Sequence, residues 1–407
     1  MEATKIKEEF LQQASILARG AEVLPGGVEE LALKLQKSKE ENKPLRIKLG
    51  MDPSRPDLHL GHTVVMRKIK QFQDLGHKII LIVGGATGMI GDPSGKSDTR
   101  PSLTKEQVEK NAKTYFDQIS KVVDVNKAEI RNNADWLYNL NFIDMLKLAS
   151  KVTVAQIMTR DDFAKRFAEN RPISVHEFFY PLMQAYDSVV VDADIELGGT
   201  DQRFNNLLGR EIQSAYGKEH PQMVILLPLL EGTDGIQKMS KSYPEHCISL
   251  TDSPKDMYGK LMSISDNLIT KYFALLTDIS NEELKQIEED IKIKNPRDIK
   301  MKLAYMITKM YNGEEKAKEA EQNFIKVVQN KEIPDDIPEI KIAEDISLID
   351  FISNFDKSLS RSDIKRLASS GAIKINSEKQ TNPNSIIKKN DIPVVIQYGK
   401  RKFIKGI

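Results

Sequence analysis

Residues 46–85 read RIKLGMDPSRPDLHLGHTVVMRKIKQFQDLGHKIILIVGG, and this stretch decides the fold class. Arg46-Ile47-Lys48-Leu49 reads as a short strand ending at Gly50. Thr63 to Leu75 carries Val65, Ile69, Phe72 and Leu75 at helical spacing, with Gly76 where a C-terminal glycine cap belongs. From Lys78 to Val83 the apolar run is unbroken before Gly84-Gly85, as expected of a parallel strand buried on both faces. Strand, loop, helix and strand make one βαβ unit. The sequence therefore predicts an α/β fold built on a Rossmann-type parallel sheet with crossover helices.

Outward from this unit the pattern is mainly helical from Thr104 to about Ala193, and strand character returns at Met223-Val224-Ile225-Leu226-Leu227. Helices resume beyond Ser253. Asn295-Pro296 opens one with Ile299, Leu303, Met306, Ile307 and Met310 on one side before Gly313. Lys331 to Asp345 carries Pro334 and Pro338 among acids, the composition of a linker. The division that follows is 1–230 for the α/β part, with an inserted helical region at about 115–190, then 231–330 for a loop and an α-helical domain, 331–345 for the linker, and 346–407 for a small C-terminal α+β domain.

Composition narrows the function. In 407 residues, 60 Lys and Arg face 59 Asp and Glu, and 40% are hydrophobic, which fits a multidomain globular protein and excludes wholesale disorder. A net charge of +1 gives the chain as a whole no electrostatic preference for nucleic acid or membrane. Residues 360–407 are the exception, with eleven Lys and Arg against three acids. Cys247, the single cysteine, excludes an internal disulfide and points to a reducing, cytoplasmic setting. The charged start (Glu2, Lys5, Lys7, Glu8, Glu9) argues against a signal peptide, and no run reaches the ~18 apolar residues of a membrane span.

Three constellations carry chemistry. Asp52-Pro53-Ser54-Arg55-Pro56-Asp57-Leu58-His59-Leu60-Gly61-His62 lies between the first strand and the first helix, where α/β sheets bind ligands and helix N-termini favour anions. His59 and His62 can donate to phosphate oxygens, and Gly61 lets a flat ring approach the backbone. A pair of surface or helix-capping histidines is the plainer alternative, and a two-His metal site lacks partner histidines. Lys238-Met239-Ser240-Lys241-Ser242 is a polar loop whose lysines can neutralise charge on a leaving pyrophosphate, although such a loop alone is more often a solvated turn. Tyr180, Gln184 and Asp187 fall at i, i+4 and i+7 on one helix face among apolar neighbours such as Leu182 and Met183, which looks like a pocket lining. Gly91-Asp92-Pro93-Ser94-Gly95-Lys96-Ser97 only superficially suggests a Walker A loop, because Ile90 stands where the first Gly is required and Pro93 removes a backbone donor.

The first two constellations, in this order, resemble the paired signatures of class I aminoacyl-tRNA synthetases. With Gly91 to Lys96, the Tyr180/Gln184/Asp187 stripe and Gly198-Gly199-Thr200-Asp201-Gln202 also in family order, the chain resembles bacterial-type tyrosyl-tRNA synthetases over essentially its whole length. The resemblance implies a class I synthetase sheet, an α-helical anticodon-side domain, and a C-terminal RNA-binding domain similar to that of ribosomal small-subunit protein four. It further implies tyrosine activation with ATP and transfer to tRNA(Tyr), Mg²⁺ accompanying ATP with no protein-held metal site, a homodimer built from the inserted helices, no membrane association and a cytoplasmic location.

The same resemblance assigns roles. His59, His62, Lys238 and Lys241 would stabilise the phosphoryl transition state, and Gly61, Asp201 and Ser240 would join them in holding ATP. Asp52, Asp92, Tyr180, Gln184 and Gln202 would hold tyrosine, with Asp187 accepting from the phenolic hydroxyl. Arg361, Lys365, Arg366 and Lys374 would contact tRNA. Lys48 occupies a position where many bacterial members carry a Tyr that bonds the same hydroxyl; a Lys there can donate to that oxygen, pair with a carboxylate or point elsewhere. Tryptophanyl-tRNA synthetases share the fold and both signatures but resemble the chain less in the stripe and ordinarily lack the basic tail. A non-enzymatic RNA-binding protein on a synthetase body is the rival from another class; it has no use for the His59/His62 and Lys238/Lys241 sets.

Overall fold

The computed structural model describes residues 5–52, 57–90, 114–329, 337–399 and 402–407. Asp92 and the rest of Gly91 to Ser97 lie outside the described residues, as do 53–56 of the first constellation and 331–336 of the expected linker.

A six-stranded sheet has the order β1 (Glu22–Leu24), β6 (Met223–Leu227), β5 (Ile195–Gly199), β2 (Arg46–Met51), β3 (Lys78–Val83), β4 (Glu129–Asn132). Every neighbouring pair is parallel except β1 with β6. Helix α1 (Leu60–Asp74) crosses from β2 to β3 and buries Leu60, Val64, Met66, Ile69 and Phe72. In the strands of this unit Ile47, Ile79, Ile80, Leu81 and Ile82 are all within 1% of complete burial, and burial of this kind contributes about 25 cal/mol per Å² of apolar surface. Helices α2 (Phe179–Val190) and α3 (Arg203–Ala215) follow, on either side of β5 in sequence.

The structure departs from the sequence reading at three points. The helix after β2 begins at Leu60, three residues before the apolar periodicity starts, because His59 caps it. The region read as mainly helical contains the edge strand β4, whose alternating Glu129 and Arg131 give no apolar run. Strand β5 is an addition to the expected elements, because Glu196 interrupts its apolar pattern; that carboxylate is buried with a partner.

By contact density the chain divides into two compact units, Met1–Ser253 with Lys260–Ile307, and Pro254–Gly259 with Thr308–Ile407. In the second unit a five-stranded sheet runs in the order Glu378–Lys379, Ile373–Ile375, Val394–Tyr398, Lys402–Gly406, Glu339–Ile340, antiparallel except for the last pair. Its core gathers Ile342, Leu348, Phe351, Ile352, Ile364, Ile373, Ile396 and Ile404. Helix α4 (Arg361–Ser369) closes that core with Ile364 and Ala368. Among the described residues no helix is long and apolar enough to cross a membrane.

Candidate active site

The two histidines cap their own helix reciprocally. The Gly61 amide donates to His59 Nδ1 at 3.1 Å, and the His59 amide donates to His62 Nδ1 at 3.2 Å. Both Nδ1 atoms are therefore acceptors, so in each neutral ring the proton sits on Nε2, and each presents one N–H donor away from the backbone. Burial, reinforced by the neighbouring His62 and the Lys241 and Lys238 charges, pushes His59 down to about 2; burial and Lys241 push His62 down to about 4. At neutral pH both rings are therefore uncharged. A Cβ at Gly61 would sit 2.9 Å from the His59 ring, so a side chain there would evict the cap.

The signature loop is anchored by its second residue. Met239 is buried, and its amide donates to the Leu230 carbonyl at 2.7 Å. The two lysines differ in exposure: Lys241 Nζ is buried and lies 2.9 Å from Asp57 Oδ2, whereas Lys238 is exposed, with Nζ 3.7 Å from Asp201 Oδ2. Downstream, the Leu60 amide donates to the Ile248 carbonyl and the Leu250 amide to the Leu58 carbonyl, each at 3.0 Å, so the strand after the loop is bonded to the start of α1. Loop lysines and capped histidines thus share one neighbourhood.

A polar track runs from the mouth of the sheet inward. Tyr180 Oη donates to Asp52 Oδ2 (3.0 Å), and Thr87 Oγ1 donates to Asp52 Oδ1 (2.9 Å). Asn133 Nδ2 donates both to Thr87 Oγ1 (3.1 Å) and to Asp187 Oδ2 (3.2 Å). Trp136 Nε1 completes the track by donating to Asp187 Oδ1 at 2.8 Å. Asp187 is buried, which pushes its carboxyl up to about 7 against the pull of Lys48 and the two neutral donors, with Glu196 adding to the rise. Gly84 belongs to the same packing: a Cβ there would collide with Asp52 Oδ1.

Gln184 faces a different group. Its Oε1 accepts from Asn205 Nδ2 (3.0 Å) and its Nε2 donates to Asn206 Oδ1 (3.1 Å), while Gln202 Oε1 accepts from the same Asn205 amide (3.1 Å). Lys48 is completely buried. Its ammonium donates to the Gln184 carbonyl (3.0 Å), Ser188 Oγ (2.7 Å) and Glu196 Oε1 (2.9 Å), which engages all three of its protons. Among the described residues no group of three or more His, Cys, Asp and Glu side chains could hold a metal ion.

Residues 39–329 match the family described as tRNA synthetases class I (W and Y). The chain belongs to that family. This synthetase is 50% identical to the tyrosine–tRNA ligase of Carboxydothermus hydrogenoformans over 98% of each chain. It is 52% identical to that of Thermotoga maritima over 91% of this chain and 92% of the relative. Its fold is similar to the crystal structure of Archaeoglobus fulgidus tyrosyl-tRNA synthetase complexed with L-tyrosine, with a TM-score of 0.61 at 23% identity over 77% of this chain and 99% of the other.

Sequence reasoning about the synthetase gave Asp57 no role of its own and missed Thr87, Asn133, Trp136, Glu196 and the Asn205-Asn206 pair. One signal was available: Trp136 is the only tryptophan, and a buried indole N–H ordinarily needs an acceptor.

The expected tRNA contacts lie in the second unit. Helix α4 turns Arg361, Lys365 and Arg366 outward; Arg361 pairs with Asp350 and Arg366 with Asp363, while Lys365 and Lys374 form no ion pair among the described residues. Exposed pairs of this kind are screened by solvent and hold their side chains only weakly.

Proposed function

We propose that this chain is an ATP-dependent, AMP-forming tyrosine–tRNA ligase that works in the cytoplasm as a homodimer. Relatives about half identical along nearly the whole chain carry that name, and one observation carries the choice of amino acid. Asp187 is a buried carboxylate at the inner end of a polar track whose two protein partners are both neutral donors. Its remaining acceptor capacity suits a neutral O–H donor such as a phenol.

In the first step a tyrosine carboxylate oxygen attacks the α-phosphorus of ATP in line while the bond to the bridging oxygen of pyrophosphate breaks. No side chain forms a covalent bond. The Nε2–H groups of His59 and His62 donate to phosphate oxygens, and Lys238 and Lys241, with Ser240 between them, neutralise the charge that gathers on pyrophosphate. Gly61 leaves room for the nucleotide, Asp201 and Gln202 accept or donate at ribose and carboxyl oxygens, and Mg²⁺ enters with ATP as part of that substrate. Asp52, Tyr180 and Gln184 orient the tyrosine α-ammonium. Asp92, outside the described residues, joins them by its place in the motif. In the second step a hydroxyl of the terminal tRNA adenosine attacks the adenylate carbonyl and AMP leaves.

The division of labour along the chain follows the same reading, with activation in 1–230, the signature loop and helices in 231–330, a linker at 331–345 and tRNA binding by Arg361, Lys365, Arg366 and Lys374 in 346–407. A second copy of the chain covers the inserted helices, where Phe142 (75% exposed), Val175 (73%) and Phe167 (69%) stand in water. Phe142 itself lines a mainly apolar hollow of about 350 Å³ together with Met145, Leu146, Phe179, Met183 and His176. An exposed apolar hollow of this kind suits burial against a second chain.

Tyrosine-dependent exchange of labelled pyrophosphate into ATP tests the activity directly. No exchange with tyrosine, or equal exchange with tryptophan, sinks the proposal.

A further inference from the structure

Lys48 and Glu196 stand opposite one another across β2 and β5, as register partners, with Nζ 2.9 Å from Oε1. Both are within 1% of complete burial. An ion pair so deep contributes little net stability, because desolvation cancels most of the attraction, and apolar replacements are often neutral or better. Its surroundings show what else it does. Ser188 Oγ donates to Glu196 Oε2 at 3.1 Å, and Gln222 Nε2 donates to the same oxygen. Gln213 Nε2 donates to the Ser188 and Ala193 carbonyls, each at 2.9 Å. Helix α3 packs Gly209 against the cluster so closely that a Cβ would lie 3.0 Å from Ser188 Oγ and 3.1 Å from Glu196 Oε2. The turn of α2 from Gln184 to Ser188 is thereby bolted to the sheet, and Asp187 sits within that turn.

We propose that Lys48 is a positioning residue for tyrosine recognition: bonded to Gln184, Ser188 and Glu196, it fixes the turn of α2 that bears Asp187 and sets the charge around that carboxylate without touching the substrate. The inference rests on Asp187 being the acceptor of the phenolic hydroxyl. Its three protons are already engaged, so a direct bond from Lys48 to the substrate would require giving up Glu196, Ser188 or the helix carbonyl. The charged groups acting on Asp187 are Lys48 from β2 and Glu196 from β5; Asn133 and Trp136 face it with neutral donors. The two charges pull in opposite directions, Lys48 favouring the ionised carboxylate and Glu196 opposing it.

That opposition supplies the test. The pH dependence of kcat/KM for tyrosine activation is measured for wild type, Lys48→Met, Glu196→Gln, the double substitution and Lys48→Arg, with the Tyr/Phe ratio of kcat/KM alongside. The acid limb should move to higher pH in Lys48→Met and to lower pH in Glu196→Gln, each by about one pH unit. It should fall between the two in the double variant, which leaves no unpaired buried charge and so keeps the test available if Lys48→Met does not fold. Lys48→Arg should hold the wild-type limb even where the bulkier head lowers the rate. Limbs that do not move, or that move the same way in both single variants, overturn the proposal and leave Lys48 a packing residue. Asp187→Asn separates the two layers. If it leaves the Tyr/Phe ratio intact, the hydroxyl reading fails and the inference falls with it; if it collapses the ratio while the Lys48 and Glu196 variants leave the limb in place, only the positioning role fails.

Discussion

The Lys241 ammonium lies 2.9 Å from an Asp57 carboxylate oxygen, so the second lysine of the signature loop is tied to the segment that leads into His59 and His62. The loop is thus held beside the capped helix, with the Lys241 charge acting on both histidines. Lys241→Ala should slow adenylate formation by ~10²–10³ with tyrosine affinity nearly unchanged, because the lost charge acts on the transition state and not on the amino acid. Pre-steady-state activation measured at saturating substrates reads this out. A wild-type rate in the variant removes the loop from the mechanism.

Three imidazoles make folding sensitive to acid. His59, His62 and His77 are held below the usual 6.5, at about 2, 4 and 4, each chiefly by burial. Their folded values are depressed, so the unfolded chain takes up protons first as pH falls, and the stability these groups contribute is full above about pH 6.5 and lost toward about pH 4. Asp187, raised to about 7, acts in the opposite sense over the same window. The thermal midpoint should therefore fall on acidification. His77→Ala, which removes the Nδ1 acceptor of the Leu45 amide (3.3 Å), should lower the neutral-pH midpoint and make the acid fall shallower. An unchanged slope would mean that His77 titrates normally in the folded protein.

Selectivity against phenylalanine should rest on Asp187. With phenylalanine bound, the carboxylate faces an apolar ring edge and one acceptor site goes unfilled in a buried pocket. Rejection of ~10⁵ is the general figure for tyrosyl-tRNA synthetases as a family, and this pocket sets only its direction. Asp187→Ala should lower kcat/KM for tyrosine far more than for phenylalanine and so narrow the gap. Equal losses on both substrates would assign the residue to folding.

The βαβ unit was legible because its signals are local and undiluted. Ile79 to Val83 is apolar without interruption, and Val65, Ile69 and Phe72 repeat at helical spacing. The site was legible only where its residues cluster in sequence, as His59 with His62 and Lys238 with Lys241 do. Histidine capping and phosphate donation, which compete as readings of the sequence, turn out to be compatible, since capping uses Nδ1 and leaves Nε2. What escaped depends on partners far away. Glu196 in β5 reads as a break in an apolar run until Lys48, 148 positions earlier, is seen beside it. Asn133 and Trp136 have no meaning in isolation, and only the fold brings them 54 and 51 positions along the chain to Asp187.

The proposed homodimer can be tested on the apolar surface without disturbing the fold. Phe142 and Leu146 are 75% and 50% exposed and border the same apolar hollow. Phe142→Glu with Leu146→Glu should leave the circular dichroism spectrum unchanged and shift the light-scattering mass from two chains to one. If the doubly substituted protein stays dimeric, the interface lies elsewhere.

The basic tail should separate activation from transfer. The strand Glu339–Ile340 pairs with Lys402–Gly406, and Ile342 enters the same core, so a chain ending before Glu339 removes that core cleanly. None of the activation residues lies beyond that point, so the shortened protein should form tyrosyl-adenylate at the normal rate yet charge tRNA poorly. Each lost phosphate contact should also reduce the slope of log affinity against log salt by about 0.7–0.9. Substituting Arg361 and Arg366 together by Ala should reproduce part of that loss with little effect on stability, because their side chains are 64% and 80% exposed and both ion pairs sit in solvent. Lys365 and Lys374, which form no ion pair among the described residues, should each weaken tRNA binding when changed to Ala, and their loss should be equal across tRNA sequences, since phosphate contacts position without reading bases. Filter binding across a salt series decides the matter: matching affinity and slope in the shortened and full-length proteins would leave the tail as a stability or assembly element.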